Sequence, residues 1–181
     1  MELVTARLRI DALRPADAEA LFVCRADPAV ARFQGWCPAD IAEAREFIGR
    51  QPWETAPSGW FQRAIRLHGD DGPIGDLGVN LPADVRESVE FGISIASAHQ
   101  GRGYAGETLR ALFDQVFGQF GRHRIHASVD PCNLASMAML RGLGMRQEAF
   151  HRESLWLRGE WVDDAVFAML SREWPATHIK R

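Results

Sequence analysis

The residues with the clearest chemical potential form the run Gln100-Gly101-Arg102-Gly103-Tyr104-Ala105. The run precedes a segment of helical periodicity, so the two glycines lie where the chain turns into a helix. The first N–H groups of a helix have no partner within it, and the helix dipole favours negative charge there. Glycine has no Cβ, so the backbone can approach an anion closely. The run therefore predicts a site for a phosphate-bearing ligand.

The spacing of this loop differs from that of the two common nucleotide-binding loops. A P-loop has a Lys followed by Ser or Thr after its second glycine, and the dinucleotide-binding loop has three glycines. Here only Gly101 and Gly103 carry the turn, and no Lys follows. A nucleotide-binding protein built from repeated parallel β-α units is therefore a distant alternative.

A carboxylate precedes the loop on a predicted strand. Glu90 lies on the face of the strand that also carries Gly92 and Ser94, and these small residues leave space for a ligand. Burial there would raise the pKa of the carboxylate towards a value that suits a general base. A glutamate that is only salt-bridged or solvated fits the same pattern.

Asn133 and Ser136 follow the loop at the start of another helical segment, after Pro131. Side chains of this type commonly accept hydrogen bonds from the free N–H groups of a helix N-terminus. Helix capping alone accounts for both residues.

Strands and helices must bring these residues together. Alternating hydrophobicity predicts strands at 3–11, 60–67, 74–81, 88–96, 124–129, 146–157 and 160–170. Helical periodicity and start signals predict helices that begin near 14 and 38, and others at 103–120 and 133–143, while 28–38 is predicted to be irregular. Antiparallel strands followed by a β-α-β crossover indicate an α/β (α+β) fold. We expect a mixed, mostly antiparallel sheet of about seven strands with helices on both faces.

The pattern Q-x-x-G-x-A of residues 100–105 resembles the pyrophosphate-binding loop of the GNAT superfamily, the acyl-CoA-dependent N-acyltransferases. The pattern V-D-P-x-N-x-x-S at 129–136, followed by L-R-G-L-G-M at 140–145, is similar to the RimJ/RimL-like branch of that superfamily. Looser matches lie at 5–10, at 59–61 with 72–76, and at 157–163. The resemblance therefore extends over most of the chain.

The resemblance implies the GNAT fold, in which the strand before the loop and the strand after the next helix form a V-shaped splay that binds acyl-CoA. The cofactor-binding residues that it implies are Ile93, Ile95, Gln100, Gly101, Arg102, Gly103, Tyr104, Ala105 and Asn133. Ile93 and Ile95 would offer backbone groups to the pantetheine amides. The candidate catalytic residues are Glu90, whose place on the small-residue face of its strand suggests the base for the amine, and Ser136, which the resemblance implies as a hydrogen-bond donor to the departing thiolate.

One position departs from many members of the superfamily. They carry a tyrosine, acting as general acid, seven residues after the asparagine, where this chain has Leu140. The single tyrosine of the chain, Tyr104, lies in the loop instead. Tyrosine acid catalysis from this helix is therefore excluded, and the RimJ/RimL-like branch commonly lacks that tyrosine too.

Two explanations fit a group of mostly aromatic residues in the N-terminal part of the chain. Aromatic walls could exclude water from an acyl-transfer site, and packing of the two N-terminal helices explains the same residues. The candidates are Phe33, Gln34, Gly35, Trp36, Trp53, Trp60 and Phe61. His123 and His126 would point to opposite faces of a strand, so we expect no metal site.

Size and charge restrict the remaining possibilities. The 181 residues suggest a single domain, 1–181, and the formal net charge of −3 argues against nucleic acid as the main partner. No apolar run approaches the roughly 18 residues of a membrane span, so we expect no membrane partner. Three scattered cysteines form no disulfide or zinc pattern, which favours a cytoplasmic location. The sequence is compatible with a homodimer.

Together these observations predict an N-acetyltransferase that moves an acetyl group from acetyl-CoA to a primary amine. The acceptor would be a protein N-terminus or a small-molecule amine, attacking directly within a ternary complex. The alternative is a CoA-binding sensor or structural module of the same fold that does not catalyse transfer.

Overall fold

The computed structural model describes residues 1–53 and 58–175. Its eight strands form one sheet in the order β1-β2-β3-β4-β5-β6-β8-β7. The strands are β1 (Leu3–Val4), β2 (Leu8–Ala12), β3 (Gly59–Leu67), β4 (Pro73–Leu81), β5 (Val89–Ile95), β6 (Arg124–Val129), β7 (Arg146–Leu157) and β8 (Glu160–Leu170). Neighbouring strands are antiparallel except β5 and β6, which are parallel. The predicted mixed, mostly antiparallel sheet is confirmed.

The helices are α1 (Ala18–Ala26), α2 (Pro28–Ala31), α3 (Ile41–Gly49), α4 (Tyr104–Asp114) and α5 (Leu134–Gly142). Short 3-10 turns lie at Pro15–Asp17, Ser97–His99 and Ser171–Glu173. Within the part of the chain that the structure describes, no helix combines the length and the apolar character that a membrane span requires.

The N-terminal segment 3–11, predicted to be one strand, forms two strands. Leu3 pairs with Ile10, so β1 folds back on β2 as a hairpin. The turn is held by Thr5, whose side-chain Oγ1 accepts a hydrogen bond from the N–H of Leu8 at 3.0 Å. The sheet therefore has eight strands rather than about seven, because a side chain–backbone bond interrupts the alternating pattern.

Two helix predictions also need correction. Residues 28–38 were predicted to be irregular, yet Pro28–Ala31 forms one helical turn, α2. Asp27 caps this turn by accepting a hydrogen bond from the N–H of Ala29 at 2.9 Å. The helix predicted at 103–120 changes character at its end, because Gln115–Gln119 is a π-helix. The N–H of Phe120 bonds the carbonyl of Gln115 at 2.9 Å, five residues back.

Helices cover both faces of the sheet, as predicted. Ile65 belongs to the larger apolar core, which includes Phe113 of α4 and Leu140 of α5. Its neighbour Ala64 belongs to a smaller core that includes Leu21 of α1. Because consecutive residues of a strand point to opposite faces, α4 and α5 lie on one face, and α1 on the other.

The parallel pairing of β5 and β6 is short. It joins Val89 with Ile125 and Glu90 with His126, and extends no further among the described residues. The remainder of β5, up to Ile95, therefore presents backbone N–H and C=O groups that β6 does not satisfy. This is the V-shaped splay that the sequence resemblance implies.

Candidate active site

A cavity of about 640 Å³ lies at the opening of the V, and we call it the donor cavity. Its walls come from β5, the loop at 100–105 with the start of α4, the start of α5, and the segment around α2. Of the predicted cofactor-binding residues, it is lined by Ile93, Ile95, Gln100, Gly101, Gly103, Tyr104, Ala105 and Asn133. Arg102 is not among the residues that line it.

The loop has the backbone that the two glycines predict. Gly101 and Gly103 have φ angles of 73° and 79°, in the left-handed region that favours glycine. Gly103 is the N-cap of α4, so the first N–H groups of the helix are available at the cavity. Gln100 fixes the loop to β5, because its Nε2 donates a hydrogen bond to the carbonyl of Ile95 at 2.8 Å.

An arginine from the N-terminal hairpin fastens the loop to the sheet. Arg7 Nη1 donates to the carbonyl of Arg102 at 3.1 Å, and Arg7 Nε donates to Glu107 Oε2 of α4 at 2.6 Å. The guanidinium also lies over the ring of Tyr104, 4.7 Å from its centroid. We call this group the Arg7 clasp. The clasp therefore holds both the backbone of the loop and the first turn of α4.

The clasp also controls a negative charge at the helix start. Glu107 Oε1 accepts hydrogen bonds from Thr5 Oγ1 at 2.6 Å and from the N–H of Arg7 at 3.0 Å. Partial burial raises the pKa of Glu107, but the hydrogen bonds from Thr5 and Arg7 outweigh it, and the net pKa lies below the ordinary value. The charge of Glu107 is therefore compensated by Arg7 and opposes a bound anion only weakly.

Two residues with basic side chains that sequence reasoning missed also line the donor cavity, Arg110 and His99. Arg110 is exposed, and no acidic side chain of the described residues pairs with it. The sequence signal for Arg110 was its position four residues after Gly106, which places both residues on the same face of the helix. His99 lies in the 3-10 turn after β5, and its Nδ1 has no hydrogen-bond partner among the described residues.

The start of α5 reaches the opposite wall. Asn133 is the N-cap, and its Oδ1 accepts a hydrogen bond from the N–H of Ser136 at 3.1 Å. The capping interpretation of Asn133 is thus confirmed, and the residue still lines the cavity. The Ser136 hydroxyl makes no hydrogen bond to the described residues, so it is free to bind a ligand.

A second cavity, of about 230 Å³, adjoins the first, and we call it the acceptor cavity. Both cavities are lined by Phe33, Gln34, Ile93, Asn133, Ser136 and Met139. Its other walls include Gly92 of β5, Ser128 of β6, and Leu155, Leu157 and Asp164 of the β7–β8 hairpin. Ser136 and Ile93 therefore stand at the junction of two spaces.

The aromatic candidates divide into three groups. Phe33, with Gln34 and Gly35, lines the acceptor cavity. Trp36 stacks on Phe47 of α3 with ring centroids 4.3 Å apart, and it packs against the smaller core. For Trp36, the explanation by packing of the N-terminal helices is therefore confirmed. Phe61 is buried in the larger core, whereas Trp53 and Trp60 are exposed and line neither cavity.

Glu90, the predicted base, lies where β5 and β6 still pair. Its Oε2 is 3.9 Å from His126 Nε2, and about a third of its side chain is exposed. It is two residues from Gly92 and on the same face, but it does not line either cavity. Its catalytic role stays a prediction. Among the described residues, no group of three or more His, Cys, Asp or Glu side chains could hold a metal ion.

These features define a class of protein: an open V in a mixed sheet, with the glycine-containing loop at 100–105 on one side and a second cavity on the other. The model of the acetyltransferase (GNAT) domain matches residues 7–146, which is more than half of the chain. The chain therefore belongs to the GNAT family of acyltransferases.

Individual relatives refine this assignment. The chain is 29% identical over 174 residues to the uncharacterized N-acetyltransferase p20 of Bacillus licheniformis, covering 95% of this chain and 97% of that protein. It is 30% identical to the ribosomal protein uS5-alanine N-acetyltransferase of Escherichia coli (strain K12), over 77% of this chain and 84% of that protein. The structure of Mycobacterium smegmatis RimJ in complex with CoA-disulfide is similar in fold, with a TM-score of 0.79 and 24% identity, covering 93% of this chain and 84% of that one. The predicted RimJ/RimL-like branch is confirmed.

Proposed function

We propose that residues 1–181 act as one N-acetyltransferase domain that moves the acetyl group of acetyl-CoA to a primary amine. The observation that carries the proposal is the junction of the two cavities. The loop at 100–105, the part of β5 that does not pair with β6, and Ser136 line the donor cavity, and Ile93 and Ser136 also line the acceptor cavity. A RimJ structure with CoA-disulfide and relatives named N-acetyltransferases support the same donor and reaction.

The donor would bind through its phosphates at the start of α4 and through its pantetheine arm along β5. Free N–H groups and the dipole of α4 favour the pyrophosphate, and Arg110 adds a positive charge. The backbone of Ile93 and Ile95 offers hydrogen bonds to the amides of the arm, in the manner of an added strand. This course directs the thioester towards Ser136.

The transfer step would join the amine nitrogen to the thioester carbon and break the carbon–sulfur bond. The amine loses one proton and the CoA thiolate gains one, so atoms and charge balance. Ser136 would donate a hydrogen bond to the departing sulfur, and the N-terminus of α5 would favour the negative charge that develops there. Glu90 would accept the amine proton, and because it does not line the cavities it would act through water.

The cysteine thiols of this chain favour direct attack by the amine over a covalent acyl-cysteine intermediate. Burial, together with the nearby charge of Asp76, raises the pKa of Cys24 to about 12, so this thiol is a poor nucleophile. Cys37 and Cys132 are exposed and do not line either cavity.

Calorimetry with acetyl-CoA and initial-rate kinetics with a panel of primary amines test this proposal. We expect saturable acetyl-CoA binding and release of CoA thiol that depends on the amine, with intersecting double-reciprocal plots. Parallel plots would contradict direct attack. Binding without thiol release for any amine would favour the non-catalytic CoA-binding alternative.

A further inference from the structure

The walls of the acceptor cavity carry charge of one sign. Asp130, Asp163 and Asp164 line it, and no Lys, Arg or His side chain is among its described lining residues. None of the three aspartates forms an ion pair with any described residue, although the chain has 21 Lys and Arg residues. Carboxylates left without cations in a concave site attract positively charged ligands.

Asp164 is the best placed of the three. It accepts a hydrogen bond from Ser128 Oγ through Oδ1, which fixes the carboxylate while Oδ2 remains without a partner in the described residues. Ser128 pairs with Val166 across β6 and β8, so Ser128 and Asp164 lie on the same face of the sheet. His126 is on this face too, and with it Glu90 and Gly92.

There is open space on this face above Gly92. A Cβ added to Gly92 would meet nothing within 4 Å, in contrast to Gly78 on the neighbouring strand, which Gln62 covers. The space lies beside Ile93, which lines both cavities. An amine directed at the thioester can therefore pass over Gly92 while the rest of the acceptor extends towards Asp164.

An independent observation points to a bound molecule in the donor cavity, next to this junction. The hydroxyl of Ser94 lies on the same face as Gly92, Ser94 is 4% exposed, and its Oγ has no hydrogen-bond partner among the described residues. Ser94 also lines the donor cavity. A buried hydroxyl without a partner is costly, so it indicates a polar ligand group at this position.

The apolar part of the acceptor cavity fits a spacer between two charges. Phe33 faces Leu155, Leu157 and Val162 of the β7–β8 hairpin around the same space. Such walls favour methylene groups, whereas among the described lining residues only the aspartates offer a negative charge to a second, positively charged group.

We infer that the acceptor carries a second positive charge, separated from the reacting amine by an apolar spacer, and that Asp164 binds this second charge. The inference rests on the proposed function and adds the chemical class of the acceptor to it. Two sources share this chemistry, an aliphatic diamine and a peptide whose second residue is basic. The position of the charge, not its source, is what the cavity selects.

Matched acceptor pairs test the inference. They are 1,4-diaminobutane with butylamine, and alanyl-arginine amide with alanyl-leucine amide. We expect at least one charged member to exceed its neutral partner in kcat/KM by about tenfold or more, and whichever pair shows this identifies the source. Equal values within both pairs would overturn the inference and leave the proposed function intact.

The variant Asp164→Asn removes the charge but keeps an oxygen to accept from Ser128. It should lower kcat/KM for the preferred charged acceptor by about tenfold and leave the neutral partner within about twofold. Asp70→Asn, in the exposed turn between β3 and β4, removes the same charge elsewhere and serves as the matched control. An equal loss for both acceptors, or the same loss in the control, would contradict the role of Asp164.

Calorimetric binding to the CoA-saturated protein makes the test independent of turnover. The charged acceptor should bind the wild-type chain more tightly than its neutral partner, and Asp164→Asn should abolish the difference. Absence of that difference would reject the inference even if no amine is acetylated, whereas failure of transfer alone would reject only the proposed function.

Discussion

Arg7 and Glu107, 100 residues apart in sequence, form the ion pair that fixes the start of α4, beside the loop at 100–105, to the sheet. Arg7 also holds the carbonyl of Arg102, so one side chain controls both the loop and the first turn of α4. The guanidinium is about half exposed, and solvent therefore weakens the pair. Its importance lies in geometry and in compensating the charge of Glu107 beside a bound anion.

Replacing Arg7 by Met should weaken acetyl-CoA binding about five- to tenfold, because the loop loses its clasp and Glu107 regains an uncompensated charge. Calorimetry measures the change. The double variant Arg7→Met/Glu107→Gln should recover part of the affinity, since the repulsive charge is gone. If the double variant binds acetyl-CoA as weakly as Arg7→Met does, the result would instead indicate that Arg7 binds the donor directly.

The Arg7 clasp should also make stability depend on pH. The pKa of Glu107 in the folded chain lies below its ordinary value of 4.5. The stabilisation is therefore complete above 4.5 and is lost as the pH falls through the folded pKa. We expect the Tm of the wild type to exceed that of Glu107→Gln near neutral pH, and the gap to narrow as the pH falls below 4.5. A gap that is constant across this range would contradict the assignment.

Gly103→Val should abolish measurable acetyl-CoA binding. Its φ of 79° is strained for a β-branched residue, and a Cβ there would contact Arg7 at 3.5 Å. Gly69→Val is the matched control, because Gly69 has a φ of 81° in a turn without near neighbours. The control should lose a similar amount of stability in thermal unfolding and retain acetyl-CoA affinity. Equal affinities in the two variants would refute the position of the phosphate site.

Ser136→Ala should lower kcat about tenfold or more while acetyl-CoA affinity stays within about twofold, because the hydroxyl serves the departing thiolate. The backbone N–H that Asn133 caps is unchanged by this substitution. Ser136→Thr keeps a hydroxyl and should retain more activity than the alanine variant. An alanine variant with wild-type kcat would remove Ser136 from the mechanism.

Glu90→Gln should lower kcat by about a hundredfold or more and remove an acidic limb of the pH–rate profile, with donor binding preserved. Glu87→Gln removes a charge from the exposed turn just before β5 and is the control. If Glu90→Gln keeps the wild-type profile, the base lies elsewhere in the site.

The sequence predicted those parts of the site that depend on local backbone geometry. Gly101 and Gly103 need left-handed φ angles, and Asn133 caps a helix, so residue type alone is informative there. The order of strands and helices could be predicted from hydrophobic periodicity, because this periodicity is also a local property of the sequence. The hairpin at the N-terminus and the turn of α2 were missed because single side chains, Thr5 and Asp27, create them.

Features that depend on distant pairing could not be predicted. The Arg7 clasp joins the turn before β2 to α4. The residues next to Arg7 in the sequence do not indicate that Glu107 is its partner. Similarly, Asp164 has no local signal of its position in a cavity with Gly92 and Ser128. The position of Asp164 arises from the strand order, in which β8 is inserted between β6 and β7.

The central claim is tested most directly by following the acetyl group itself. Acetyl-CoA with an isotopically labelled acetyl group is incubated with the protein and the amine panel, and mass spectrometry identifies the labelled products. The account predicts a labelled acetamide of at least one amine, formed in an amount equal to the CoA thiol released and absent with Gly103→Val. Labelled free acetate without any acetylated amine, or no loss of acetyl-CoA at all, would contradict it.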